Sequence, residues 1–207
     1  MIAFKYSKTE GAEFISHLDT LRHLNKTFKR AGFEVKHSQG FHPHMLVYMS
    51  SPIGVGLKSY AEYCTVDVDI SAEQFKEEFN RYSPKGIKCI ESYAVEKNPN
   101  FASVITRAKY VISGLHGVNA EEVMAMQSFT VKDKHGEPKE VREKIYSFTE
   151  TAEGHEVVLA AGNNALRPDA FVKRLAELYG EMDADIVKTE SYVGEGDSVA
   201  TALSDIG

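Results

Sequence analysis

MLVYMSSPIGVGLKSYAEYCTVDVD, residues 45–69, reads as a strand (about 45–50), a turn and a second strand (about 60–69). The two apolar runs have strand length, and the glycines of SPIGVGLKS permit the positive φ that a turn between them needs. A central hairpin of this kind makes sense only with something on either side to cover it, and the flanking sequence supplies it.

Upstream, Ile2, Phe4 and Tyr6 alternate with Lys5 and Ser7, the period of a half-buried strand. Ser16 followed by Asp19 has the spacing of an N-cap with an acidic first turn. Leu18, Leu21, Leu24, Phe28 and Ala31 then repeat at helical spacing up to Gly32. Downstream, a second helix starts at Ser71 and carries Phe75 and Phe79, PKG (84–86) ends it, and a strand follows over about 87–95.

The order β-α-β-β-α-β is that of a ferredoxin-like unit. It recurs after NPN (98–100): strand RAKYVISGL (107–115), a helix from Asn119 to about 128, strands near 129–133 and 156–161, the helix RPDAFVKRLAELYG, and the strand DIVKTESYV. The expectation is an α+β chain of two tandem ferredoxin-like units. The first spans 1–97 and the second 106–193, joined by a linker (98–105) and followed by a mobile tail (194–207). KDKHGEPKEVRE forms a charged hairpin excursion in the second unit.

The 207 residues carry a net charge of −6, unevenly distributed. Residues 1–60 sum to +4 and hold five of the eight histidines, whereas residues 61–207 sum to −10. An anion-binding front on an acidic body is one reading. No run approaches the roughly 18 apolar residues of a membrane span, and MIAFKYSKTEG does not have the form of a secretory leader, so a cytoplasmic address without a membrane partner is expected. Cys64 and Cys89 stand alone and read as buried, reduced thiols.

SHLD (16–19), Arg22, RAGF (30–33), SQGFHPH (38–44), PIGVG (52–56), Ser59 and Glu62 together resemble the signature of the radical-SAM-linked domain family of unknown function. LRPD (166–169) extends the likeness. Members stand alone or follow a B12-binding, radical-SAM-type protein. The resemblance implies a radical-SAM enzyme as partner and carries no activity with it. The chain has no CxxxCxxC, the thiolate spacing of a radical-SAM cluster, so its expected role is that of a companion that binds or presents substrate.

Three chemistries compete for the histidine segment. His37, His42 and His44 could hold a metal, with Asp19, Glu62 or His17 completing the set, although Pro43 restricts the backbone and no cysteine is near. His42 or His44, beside Arg22 or Arg30, could serve as a catalytic acid or base on a phosphodiester. The tandem architecture resembles that of CRISPR repeat-processing endoribonucleases in fold alone.

The third chemistry is binding: Ser38, Gln39 and the amides at Gly40 are donors, and Arg22, Arg30 and Lys58 are fixed cations. Phe41 either stacks on a base or plugs the core. Neither a bound metal nor a cofactor is part of the expectation. Topology puts 16–19 and 52–56 at one end of the first unit, with 38–44 a strand length away, roughly 15–20 Å. A basic groove along residues 16–62, gripping RNA or a ribonucleoprotein, joins them; an adaptor for the enzyme, using the acidic second half, is the alternative.

Overall fold

In the computed structural model, which describes residues 1–194 and 197–204, the first strand β1 (Ile2–Lys8) is buried along its whole length. Its alternation points to one wet face, but both faces are covered. Phe4 and Tyr6 meet the helical layer, and Ala3 packs on the opposite side with Phe101, Val199 and Leu203. Lys5, expected toward solvent, is buried with its ammonium 2.7 Å from Glu190. Desolvation of that cation is tolerable only because the carboxylate is there.

The other elements follow in order: α1 (His17–Arg30), β2 (Val47–Met49), β3 (Lys58–Val66), α2 (Ala72–Tyr82), β4 (Cys89–Ala94), α3 (Phe101–Val104), β5 (Ile105–Ser113) and α4 (Ala120–Ala125). After these come β6 (Thr130–Lys132), β7 (Pro138–Glu140), β8 (Ile145–Thr151), β9 (Gly154–Ala160), α5 (Pro168–Tyr179), β10 (Asp185–Val193), β11 (Asp197–Ser198) and α6 (Val199–Ser204). The protein is a mixed α+β molecule built on a large, mostly antiparallel sheet in the order β4-β1-β3-β10-β5-β9-β8, with β2 added to β3 and β11 to β10.

Within the first half the strands run β4-β1-β3-β2, each pair antiparallel. In the second half they run β10-β5-β9-β8, again all antiparallel. The seam is a short parallel pairing of β10 with β3, Val187 opposite Lys58 and Lys188 opposite Ser59. This makes the sheet continuous across the chain.

Ser16 and Ser71 cap α1 and α2 as their spacing predicts, each accepting from the backbone N–H three residues on. The two helices close over the sheet with an aromatic cluster: Phe4 lies 4.9 Å from Phe75 and 5.4 Å from Phe79, and Phe28 lies 5.9 Å from Phe79. Each fully buried ring contributes about 1.5–3 kcal/mol of transfer free energy. Gly86, in the PKG turn, has φ 82°, and a Cβ there would sit 1.8 Å from the Thr9 carbonyl oxygen, so only glycine fits. In the second half Phe171 of α5 meets Phe129 at 5.4 Å and Phe148 at 5.3 Å.

The second half departs from expectation in one strand. Residues 130–132 pair with 138–140 in a separate two-stranded hairpin, and β8, which the strand pattern does not announce, takes the sheet position beside β9. The hairpin is the expected charged excursion, and it starts one strand earlier than the pattern suggests. Residues 98–105 include α3, whose Phe101 is buried 5.4 Å from Tyr63, so this stretch packs into a core. In the expected tail, Val199 and Leu203 are buried in that same core; residues 195–196 and 205–207 lie outside the described residues. No helix among the described residues is long and apolar enough to cross a membrane.

Candidate functional site

SHLD and Arg22 form a helix-start network. The Ser16 hydroxyl donates to Asp19 Oδ2 at 2.7 Å, and Arg22 Nη1 donates to Asp19 Oδ1 at 2.7 Å. The hydrogen bond from Ser16, then that from Arg22, holds the Asp19 carboxyl below the usual carboxylate range. His17 beside them is half-buried and Leu18 is 63% exposed, so Leu18 is not the core residue its spacing suggests. The 52–56 loop is the neighbour of this end, as topology requires: Gly56 N–H donates to the Glu13 carbonyl at 2.9 Å. Phe14 and Val55, each adjacent to one member of that bond, are 68% and 63% exposed.

SQGFHPH lies beyond the opposite end of β3. Val47 pairs with Val66, and the chain on either side of the loop is pinned where Leu46 N–H donates to the Lys36 carbonyl. Lys58 begins β3, so the two motif groups stand about 25 Å apart along the strand. Ser38 closes the loop: its N–H donates to the His44 carbonyl, its hydroxyl lies 2.8 Å from His44 Nδ1, and it accepts from His44 N–H at 3.1 Å. Gly40 takes φ 123°, and Gln39, Phe41 and His42 are exposed. Phe41 is fully exposed, which removes the core-plug reading. Neither His42 nor His44 forms an ion pair with a carboxylate, and no three metal-binding groups gather among the described residues.

The remaining candidates are already engaged. Arg30 donates to the Tyr82 carbonyl from Nη2 at 2.9 Å and Nε at 3.2 Å, stitching the end of α1 to that of α2. Lys58 pairs with Asp185 at 3.0 Å, and that hydrogen bond raises its pKa. Glu62 is buried, accepting from Lys188 Nζ at 3.0 Å and the Ser59 hydroxyl at 2.8 Å. The expected groove along 16–62 therefore does not assemble: its charges sit at opposite ends of β3 or are individually neutralised.

A different groove does form, in the half whose net charge is negative. The β6–β7 hairpin and the start of α5 enclose about 550 Å³ lined by Lys132, Lys134, Lys139, Lys144, Arg167 and Lys173, against the carboxylates of Asp133 and Asp169. Lys132 also reaches Glu177 at 3.5 Å, Lys144 donates to Asn164 Oδ1 at 2.6 Å, and Arg167 is bonded to Asp169. The N-cap position of α5 is Arg167, which makes no side-chain cap, and Pro168 follows. The first-turn N–H groups therefore add positive potential where Arg167 stands.

Glu140 fixes the hairpin from behind. It accepts from the Ser128 hydroxyl and the N–H groups of Phe129 and Arg142, and these bonds, Ser128 first, pull its pKa down to about 2. The groove escapes sequence reading because a sum of −10 over residues 61–207 hides a local excess of cations. The lysines of KDKHGEPKEVRE are its one visible trace in the chain, and they meet those of RPDAFVKR only after folding.

No curated protein sequence matches the chain. A family model described as an uncharacterized protein conserved in bacteria matches residues 2–168, covering β1 to the first residue of α5, and by that match the chain belongs to the DUF2344 family.

Proposed function

We propose that the protein is an accessory module that binds RNA or a ribonucleoprotein beside a radical-SAM enzyme in the cytoplasm, and that the phosphate backbone lies between the β6–β7 hairpin and α5. The observation that carries this reading is the reversal of charge sign: six cationic side chains against the carboxylates of Asp133 and Asp169 and the Glu177 that Lys132 reaches, in a chain whose net charge is −6. Such a patch attracts a polyanion locally while the acidic body repels it elsewhere, which fixes where the strand lies. The scaffold is read as two ferredoxin-like units, 1–97 and 106–193. The strand orders β4-β1-β3-β2 and β10-β5-β9-β8, equivalent within each half, support this reading.

Fluorescence anisotropy of a labelled structured RNA against salt tests the proposal. Lys134→Ala and Lys173→Ala each weaken binding and reduce the salt slope by about 0.7–0.9 for each phosphate the variant no longer neutralises. Arg22→Ala and Arg30→Ala leave it unchanged. Binding indifferent to salt and to both lysines overturns it.

A second reading concerns the enzyme partner. Phe14, Leu18 and Val55 expose apolar side chains at the end built from residues 11–18 and 52–56, Leu18 within SHLD, Val55 within PIGVG and Phe14 just before SHLD. Exposed apolar groups so placed suit a protein contact better than a nucleic-acid one. Co-purification with the radical-SAM protein that is lost in Leu18→Glu, with RNA affinity intact, supports docking there; retention in Leu18→Glu and Val55→Glu removes it.

A further inference from the structure

Between the two halves, above the seam of β3 and β10, lies a cavity of about 100 Å³. Its walls are the 50–54 segment, from the first half, and residues 160–168, which lead into α5. Small side chains, including Ala108, Ala160 and Gly54, make the space. A water occupies roughly 10–15 Å³ on this kind of measure, so the cavity holds a group several atoms across.

Its polar lining consists mainly of donors. Lys188, 6% exposed, spends one N–H on Glu62, and no other partner takes its remaining two among the described residues. Tyr110 is 7% exposed, lines the cavity, and its hydroxyl has no hydrogen-bond partner among the described residues. The ring is buried but its hydroxyl keeps contact with solvent, so it is available to donate to a group held in the cavity. Ser50, also buried, lines the wall, and Arg167 stands at the lip with the uncapped start of α5 behind it. Two carboxylates border this set: Glu62, held by Lys188 and Ser59, and Asp169, held by Arg167.

Ala165, Leu166 and Arg167 also line the basic groove, so cavity and groove share one wall, and Arg167 is its charged member. From this juxtaposition we infer that the seam cavity is a phosphoryl-group site, in which a phosphate monoester accepts from Lys188, Tyr110 and Arg167. The inference rests on the RNA-binding reading only for the source of the ester, which is either the terminal phosphate of a strand lying in the groove or a small phosphorylated metabolite.

The test uses the full chain and three probes: inorganic phosphate, and one short single-stranded RNA carrying either a terminal phosphate or a terminal hydroxyl. Tyr110→Phe preserves packing, since the hydroxyl bonds to nothing among the described residues, and Lys188→Gln is the second variant. If the cavity takes a strand end, the terminal phosphate strengthens RNA binding about tenfold and Tyr110→Phe removes most of that advantage. If it takes a free ester, inorganic phosphate binds, read by calorimetry, with the same dependence on Tyr110 and no difference between the two RNAs. Equal binding of both RNAs, together with no phosphate binding, overturns the site and leaves the groove standing. Loss of all RNA binding with Tyr110-dependent phosphate binding overturns the groove and leaves the site.

Discussion

Lys188 Nζ and Glu62 Oε1 lie 3.0 Å apart although 126 residues separate them in the chain. The parallel register that sets Lys188 opposite Ser59 brings them together, and both side chains are buried. Two charges removed from water stabilise a fold only when each compensates the other.

Breaking this pair singly is therefore expensive. Lys188→Ala leaves Glu62 buried with the Ser59 hydroxyl as its donor and Lys8 as a more distant cation, and is expected to cost roughly 3–5 kcal/mol. Replacing both residues with methionine recovers most of the loss. Urea unfolding of Lys188→Ala and of the double methionine variant measures it, and a Lys188→Ala cost below about 0.5 kcal/mol would show that the seam does not depend on the pair.

Arg30 is a phosphate-binding candidate as a fixed cation of the RAGF segment, and its two bonds to the Tyr82 carbonyl make it a structural tie instead. Arg30→Ala is expected to lower stability by about 1 kcal/mol, the worth of a partly exposed hydrogen bond from a charged donor. RNA affinity at fixed salt stays the same. A change in affinity without a change in the unfolding midpoint contradicts this assignment.

The β6–β7 hairpin should loosen in acid. Glu140 titrates lower in the folded chain than its ordinary 4.5, so its contribution is fully present above about pH 4.5 and is lost as pH falls toward 2. Protection factors at the amides of Phe129 and Arg142, exchange rates taken relative to the intrinsic rate at each pH, should fall across that window while those of the β1 amides hold. Glu140→Gln abolishes this pH dependence; protection factors that stay constant from pH 5 to 2 in the unsubstituted protein reject it.

Two phenylalanines in the first half should behave oppositely. Phe28, buried among Phe4, Phe75 and Phe79, is expected to cost roughly 3–5 kcal/mol on truncation to alanine. Phe41 touches water on every side, so Phe41→Ala should stay within about 0.5 kcal/mol. Thermal unfolding compares them directly, and a destabilised Phe41→Ala protein means that the loop folds back onto the body in solution.

The thiols should be silent. Burial pushes the Cys89 pKa up to about 12 and that of Cys64 higher still. Iodoacetamide at pH 8 should label neither in the folded protein and both in urea, and rapid native labelling of Cys89 would show that β4 opens.

Local chemistry is legible in the sequence wherever neighbours along the chain supply the physics. The Ser16 and Ser71 caps, the α1–α2 aromatic face and the central hairpin follow from spacing, because caps, helical faces and turns are made by residues a few positions apart. The engagement of Arg30 with Tyr82, of Lys58 with Asp185 and of Glu62 with Lys188 is not legible there, since each partner arrives from another element. The same holds for the burial of Lys5 and for the groove around Lys139 and Lys173. A side chain's charge is written in the chain, but whether that charge meets water, a carboxylate or a facing row of lysines depends on which elements pack together, and for Lys5, Lys58 and Glu62 the short contact of β10 with β3 decides it.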